Sequence, residues 1–180
     1  MKNVLILATD GFEQSELMQP KANLEDAGIK TTVVSLESGE IKGWNDGNWG
    51  ESVSVDITLD EIENCSGYDA LLLPGGQINP DILRMNDRAV ALVKDFDMAG
   101  KPIAAICHAP WLLVEADIVK GKTVTSWPSV RTDLKNAGAN VVDSEVAQDG
   151  NLITSRNPDD IPAFSDALIA RVQDQVPENA

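Results

Sequence analysis

Three short runs in this chain are apolar at every position: residues 4–8, 70–73 and 103–106. A strand with one face in water alternates polar and apolar side chains, so an unbroken apolar run marks a strand covered on both faces. Each run stops abruptly, at Thr9-Asp10-Gly11, at Pro74-Gly75-Gly76 and at Cys107-His108. Helical patterns fall between them, over 14–26 and 86–97 and onward from Pro110, with a further strand over 30–36. Gly28 ends the first helix, and Pro20 is expected to break or restart it. Alternating strands and helices predict an α/β fold, a parallel sheet with helices on both faces.

The remaining elements are less regular. Residues 37–57 read as a Gly- and Asn-rich insertion of turns and hairpin, and 58–63 as a short helix opened by the Thr58-x-x-Glu61 capping pattern. A helix over 129–136, a strand over 138–142, a hairpin joining 145–147 to 152–154, and an amphipathic helix over 159–175 complete the chain. One domain over 1–176 and a frayed tail over 177–180 are expected.

Composition bounds the function. A chain of 180 residues, 43% of them hydrophobic, is long enough for one sizeable core. Its 29 acidic and 14 basic residues give a net charge of −15, which repels phosphate backbones and argues against nucleic acid as a partner. No apolar stretch approaches membrane-spanning length, so no membrane partner is expected. Two cysteines, Cys65 and Cys107, are too few for a disulfide framework and suggest a reducing, cytoplasmic setting, with Cys65 a neutral thiol in a loop. His108 is the only histidine, metal-ligand spacing is absent and no Gly-rich nucleotide motif occurs, so neither a metal nor another cofactor is expected.

The segment KPIAAICHAPWLL carries the chemistry. An apolar strand, a polar Cys107-His108 pair and Pro110 at a first-turn position read as strand, sharp turn and helix. A thiol held there faces the helix N-terminus, which favours the thiolate. In open α/β sheets ligands collect at the carboxyl ends of strands, and two other ends are suggestive. TDGFEQSEL presents Glu13 and Glu16, and the paired Gly75 and Gly76 let backbone amides approach a ligand closely. An acid, an amide-lined cradle and a nucleophile are what a thiol reaction at a carbonyl needs. Because Cys107 and His108 are adjacent, their side chains are expected to diverge, leaving activation to the helix end and a buried, protonated Glu16 hydrogen-bonded to the sulfur.

The G-F-E-x-x-E-L loop, A-L-L-L-P-G-G, K-P-I-A-A-I-C-H-A-P and D-G-N-L-I-T-S-R-N-P-D-D-I together resemble the PfpI members of the PfpI/ThiJ superfamily, nearly end to end. The resemblance implies a flavodoxin-like three-layer α/β sandwich that forms a homodimer or a higher homo-oligomer. By the family's pattern Cys107 is the nucleophile, Glu16 the carboxyl group beside its sulfur, and His108 the acid/base. The amides of Gly76 and His108 line an oxyanion site, and Asp81 falls where the family has a carboxylate reaching the neighbouring subunit's histidine. Two departures stand out: Ala109 where Gly usually follows the C-H pair, and Asp81 where many members carry Glu.

Other residues admit two roles. Glu13 touches the site or only begins the helix, and Trp127 forms a pocket wall or packs. Trp44 and Trp49 meet a second subunit or fold back on the sheet, and Arg156 holds the loop beside the elbow or lies on the surface. The single histidine excludes glutamine amidotransferase and papain-like arrangements, which place it far from the cysteine. What remains is cofactor-free thiol chemistry. The family resemblance implies a glyoxalase III or deglycase acting on small reactive carbonyls in stress protection. A cysteine peptidase or amidase cleaving peptides, and a thiol redox sensor or chaperone without turnover, are the alternatives.

Overall fold

The computed structural model describes residues 1–175; the expected tail over 177–180 lies outside the described residues. In chain order the first elements are β1 (Asn3–Leu7), β2 (Phe12–Glu13), α1 (Gln14–Asp26), β3 (Lys30–Ser35), β4 (Glu40–Asn45), β5 (Asn48–Ser54) and β6 (Ile57–Thr58). There follow β7 (Ala70–Leu73), α2 (Ile78–Leu83), α3 (Asp87–Met98), β8 (Ile103–Ile106), α4 (Pro110–Glu115) and β9 (Thr123–Val124). The last are α5 (Arg131–Asn136), β10 (Asn140–Val141), β11 (Ala147–Asp149), β12 (Leu152–Ser155) and α6 (Ile161–Gln173).

Seven strands form the central sheet in the order β11-β12-β8-β7-β1-β3-β6, parallel throughout except for the edge pairing of β11 with β12. Taking only β1, β3, β7, β8 and β12, the order is second, first, third, fourth, fifth, the flavodoxin-like arrangement. The apolar runs are explained by burial on both faces. Leu5, Leu7, Leu71 and Leu73 pack toward α3 and α4, and Val4, Ile6, Ala8 and Leu72 toward α1 and α6. Each of these leucines is fully buried, which is worth roughly 1.5–3 kcal/mol per side chain.

Four details depart from the sequence expectations. α1 runs through Pro20 without a break, because the buried stripe Glu16, Leu17, Pro20 and Leu24 holds it on the sheet and offsets the one hydrogen bond the ring removes. The expected strand over 138–142 shrinks to β10, which pairs with β9 in a separate two-stranded sheet instead of joining the main one. The expected helix over 58–63 is a single 3₁₀ turn, Leu59–Glu61, with the Glu61 carboxylate accepting from the Thr58 amide and hydroxyl. The short helix α2 was not anticipated.

The Gly- and Asn-rich insertion is the β4–β5 hairpin, turned at Asp46 and Gly47, both with positive φ. β2 pairs with β4, which ties this hairpin to the loop after β1. Trp44 and Trp49 face each other across it, ring centroids 5.3 Å apart at 82°.

Candidate active site

The carboxyl ends of β1, β7 and β8 meet at one point. Cys107 follows β8 with φ +65°, a left-handed conformation that a non-glycine residue seldom adopts. Its N–H donates to the Ser155 carbonyl (3.1 Å) and its carbonyl accepts from the Trp127 N–H (2.9 Å), so neighbouring segments hold the strained turn from both sides. The side chain is 6% exposed.

The left-handed turn overturns one expectation. Cys107 and His108 do not diverge: Sγ lies 3.2 Å from Nδ1 of the histidine. On the far side of the ring, Nε2 is 3.4 Å from the Ser129 hydroxyl. Trp127 stacks on the imidazole (5.8 Å, 23°), and Trp111 meets it edge-on at 5.1 Å. This aromatic enclosure buries His108 and holds its pKa below the usual value, so the ring is neutral at pH 7 and able to accept a proton.

Glu16 projects from the first turn of α1 into the same space and is fully buried. One carboxyl oxygen accepts the Gly75 N–H at 3.1 Å; the other has no hydrogen-bond partner among the described residues. Burial, reinforced by the charge of Glu13, pushes the Glu16 pKa up to about 8. The carboxyl group is therefore largely protonated at neutral pH, as the sequence suggested. It lies against the Cys107 thiol, and its interaction with that thiol opposes the rise without cancelling it.

The thiol itself departs from expectation. Burial, and secondarily the Glu16 carboxylate, push it above the ordinary cysteine value, whereas the amides of Gly76 and His108 aimed at the sulfur pull the other way. α4 is only six residues long, and its field does not outweigh the loss of water around a sulfur anion. The resting group is a thiol positioned to hand its proton to Nδ1.

Gly75 and Gly76 form the strap over the sulfur. A Cβ on Gly75 would sit 2.6 Å from the Ile106 carbonyl oxygen and 2.7 Å from Cys107 Cβ, so only glycine fits. Glu13 has both of its suggested roles: it stands at the N-cap of α1, its amide donates to the Gly75 carbonyl (3.2 Å), and its charge acts on Glu16 and Cys107. Trp127 walls the site beside His108. Arg156, next to Ser155, pairs with Asp160 (2.9 Å) and Asp143 (3.0 Å) and braces the loops behind the elbow. Asp81 is exposed on α2 and does not contact His108 within the chain. Cys65 is buried away from the site, its pKa raised by burial. Ser129, Trp111 and Asn79 border the site without a sequence signal that singled them out; Asn79 in N-P-D reads only as a local turn residue.

Over residues 2–171 the chain matches the DJ-1/PfpI family. It is a member of that family. The deglycase TK1284 of Thermococcus kodakarensis is 44% identical over 161 residues, spanning 89% of this chain and 93% of the relative. The protein/nucleic acid deglycase 2 of Escherichia coli is 42% identical, spanning 91% and 94%. Among solved structures, a two-domain protein from Anabaena variabilis with DJ-1/ThiJ/PfpI-like and ferritin-like domains superposes with a TM-score of 0.91 at 35% identity, covering 96% of this chain and 48% of that one. Among the described residues no helix is long and apolar enough to cross a membrane.

Proposed function

We propose that the chain is a cysteine-dependent enzyme acting on small reactive carbonyls, either free 2-oxoaldehydes or their early adducts on amines. The observation that carries this reading is the Cys107 thiol 3.2 Å from a neutral His108, beside a protonated Glu16. The deglycase names of relatives 44% and 42% identical over their aligned spans support it.

Sγ attacks the aldehyde carbon as its proton passes to Nδ1 of His108, and the carbonyl electron pair moves to oxygen beneath the Gly76 and His108 amides. His108 returns the proton to that oxygen, giving a hemithioacetal. On an amine adduct the same attack breaks the carbon–nitrogen bond, and His108 delivers the proton to the departing amine. Neutral His108 next removes the C1 proton while the Glu16 carboxyl group protonates the C2 carbonyl oxygen, producing an enediol. The His108 proton moves to C2 while Glu16, now a carboxylate, takes the proton of the C1 hydroxyl, leaving the thioester of a 2-hydroxy acid. Water cleaves the thioester to a 2-hydroxy acid and restores the thiol. No step calls on a cofactor.

The test is lactate formation from methylglyoxal without glutathione, beside Cys107→Ala and Glu16→Gln. Turnover lost in the Cys107 variant is the expected result. No turnover by folded, reduced protein would sink the small-carbonyl reading, and amide cleavage by the same thiol would then be assayed. In a homo-oligomer, Asp81 of one subunit is proposed to reach the His108 of another. Specific activity that holds on dilution to monomers would overturn that arrangement.

A further inference from the structure

Asn79, fully buried at the start of α2, makes three hydrogen bonds to two strand ends. Its Oδ1 accepts the Thr9 N–H past β1 (2.8 Å), and its Nδ2 donates to the carbonyls of Pro74 (2.9 Å) and Gly75 (3.2 Å) past β7. The Gly75 carbonyl also accepts the Glu13 N–H (3.2 Å), while the Gly75 N–H donates to Glu16. Every polar group of Gly75 is therefore anchored.

A trans peptide is planar, so its C=O and N–H point in opposite directions. Two donors hold the Gly75 oxygen on the Asn79 and Glu13 side, and the Gly76 N–H on the same peptide unit must then point away from them, toward Cys107. Glycine on both sides makes this peptide unusually free to rotate, and Gly76 already sits at φ +84°. A rotated peptide would present a carbonyl oxygen to the sulfur in place of a donor and would oppose any developing oxyanion.

We infer that Asn79 is a positioning residue, a clamp that prevents the Gly75–Gly76 peptide from flipping and keeps the Gly76 amide directed at the reacting carbonyl. The inference rests on the carbonyl chemistry proposed above, but the clamp itself can be tested without turnover. Amide hydrogen exchange and NMR shifts are compared for wild type, Asn79→Ala and Asn79→Ser, the latter keeping a polar group too short to reach both carbonyls. The expected result is faster exchange confined to Thr9, whose N–H loses its acceptor, and to Gly75 and Gly76, with α3 core amides such as Val93 unchanged. With methylglyoxal, kcat should fall about ten- to a hundredfold with KM moved less than about twofold, below the full loss of an oxyanion donor. Unaltered Gly75 and Gly76 amides in both variants, or exchange accelerated equally across the sheet, would overturn the clamp. A wild type inert toward methylglyoxal whose glycine amides still respond to Asn79 would refute the carbonyl reading and retain the clamp.

Discussion

Cys107 Sγ and His108 Nδ1 are 3.2 Å apart although the residues are neighbours in sequence. Adjacent side chains usually point apart; here the left-handed backbone of Cys107 swings the sulfur onto the face of the ring nitrogen. In the proposed reaction this pair is the proton path, and its state depends on groups from several other segments.

The histidine tautomer is directly observable, because His108 is the only histidine. A protonated thiol donating to Nδ1 leaves the ring hydrogen on Nε2, facing Ser129 Oγ. Nitrogen-15 spectra of histidine-labelled protein should show the Nε2–H form. In Cys107→Ala the two nitrogens should move toward averaged shifts. A dominant Nδ1–H form in wild type would contradict the thiol-to-imidazole path.

Stability should depend on pH through Glu16. The folded carboxyl group keeps its proton up to about pH 8, whereas its ordinary value is 4.5, so between these pH values the folded state binds more protons. The contribution is complete below about pH 4.5 and is lost as pH rises through 8. His108 has the opposite sign, because its folded value is depressed: its contribution is present above 6.5 and is lost as pH falls through the folded value. Denaturant midpoints of wild type and Glu16→Gln, measured across pH 5–9, isolate the carboxyl group because both proteins keep the histidine. The wild type should lose stability relative to the variant as pH rises; parallel curves would mean that Glu16 ionises normally.

Gly75→Ala should be costly in both stability and activity. The added methyl meets the Ile106 carbonyl and Cys107 Cβ well inside van der Waals contact, forcing β7 and the elbow apart. A loss of about 1–3 kcal/mol is expected from overpacking, together with near-complete loss of turnover. Stability within about 0.5 kcal/mol of wild type would show that the crowding at Gly75 is relieved.

Trp127→Ala uncovers one face of His108. Burial is what depresses the histidine pKa, and Trp127 stacks on the ring at 5.8 Å. An NMR titration should show the value rising toward 6.5 in the variant. No change would assign the burial to Trp111 and the turn itself.

The strands were legible because two-sided burial leaves a local signature, an apolar residue at every position of 4–8, 70–73 and 103–106. Glu16, Gly75, Gly76 and Cys107 were legible from their places just past those strands. Pro20 misled the reading, because the cost of a proline is local whereas the packing that carries α1 through it comes from the sheet. Residues 138–142 misled it in the same way: short range favours a strand there, and only the location of β9 decides which sheet it joins.

Local sequence thus carries the strand pattern, the reactive dipeptide and the family motifs, whereas the geometry of the site rests on contacts between distant segments. The Glu16–Gly75 bond spans 59 positions and the Asn79–Thr9 bond 70, distances along the chain over which no spacing rule operates. Whether the thiol is raised or lowered in pKa depends on water excluded by all these segments at once. Periodicity records which face of an element is buried, but peptide orientation and local dielectric are properties of the assembled fold.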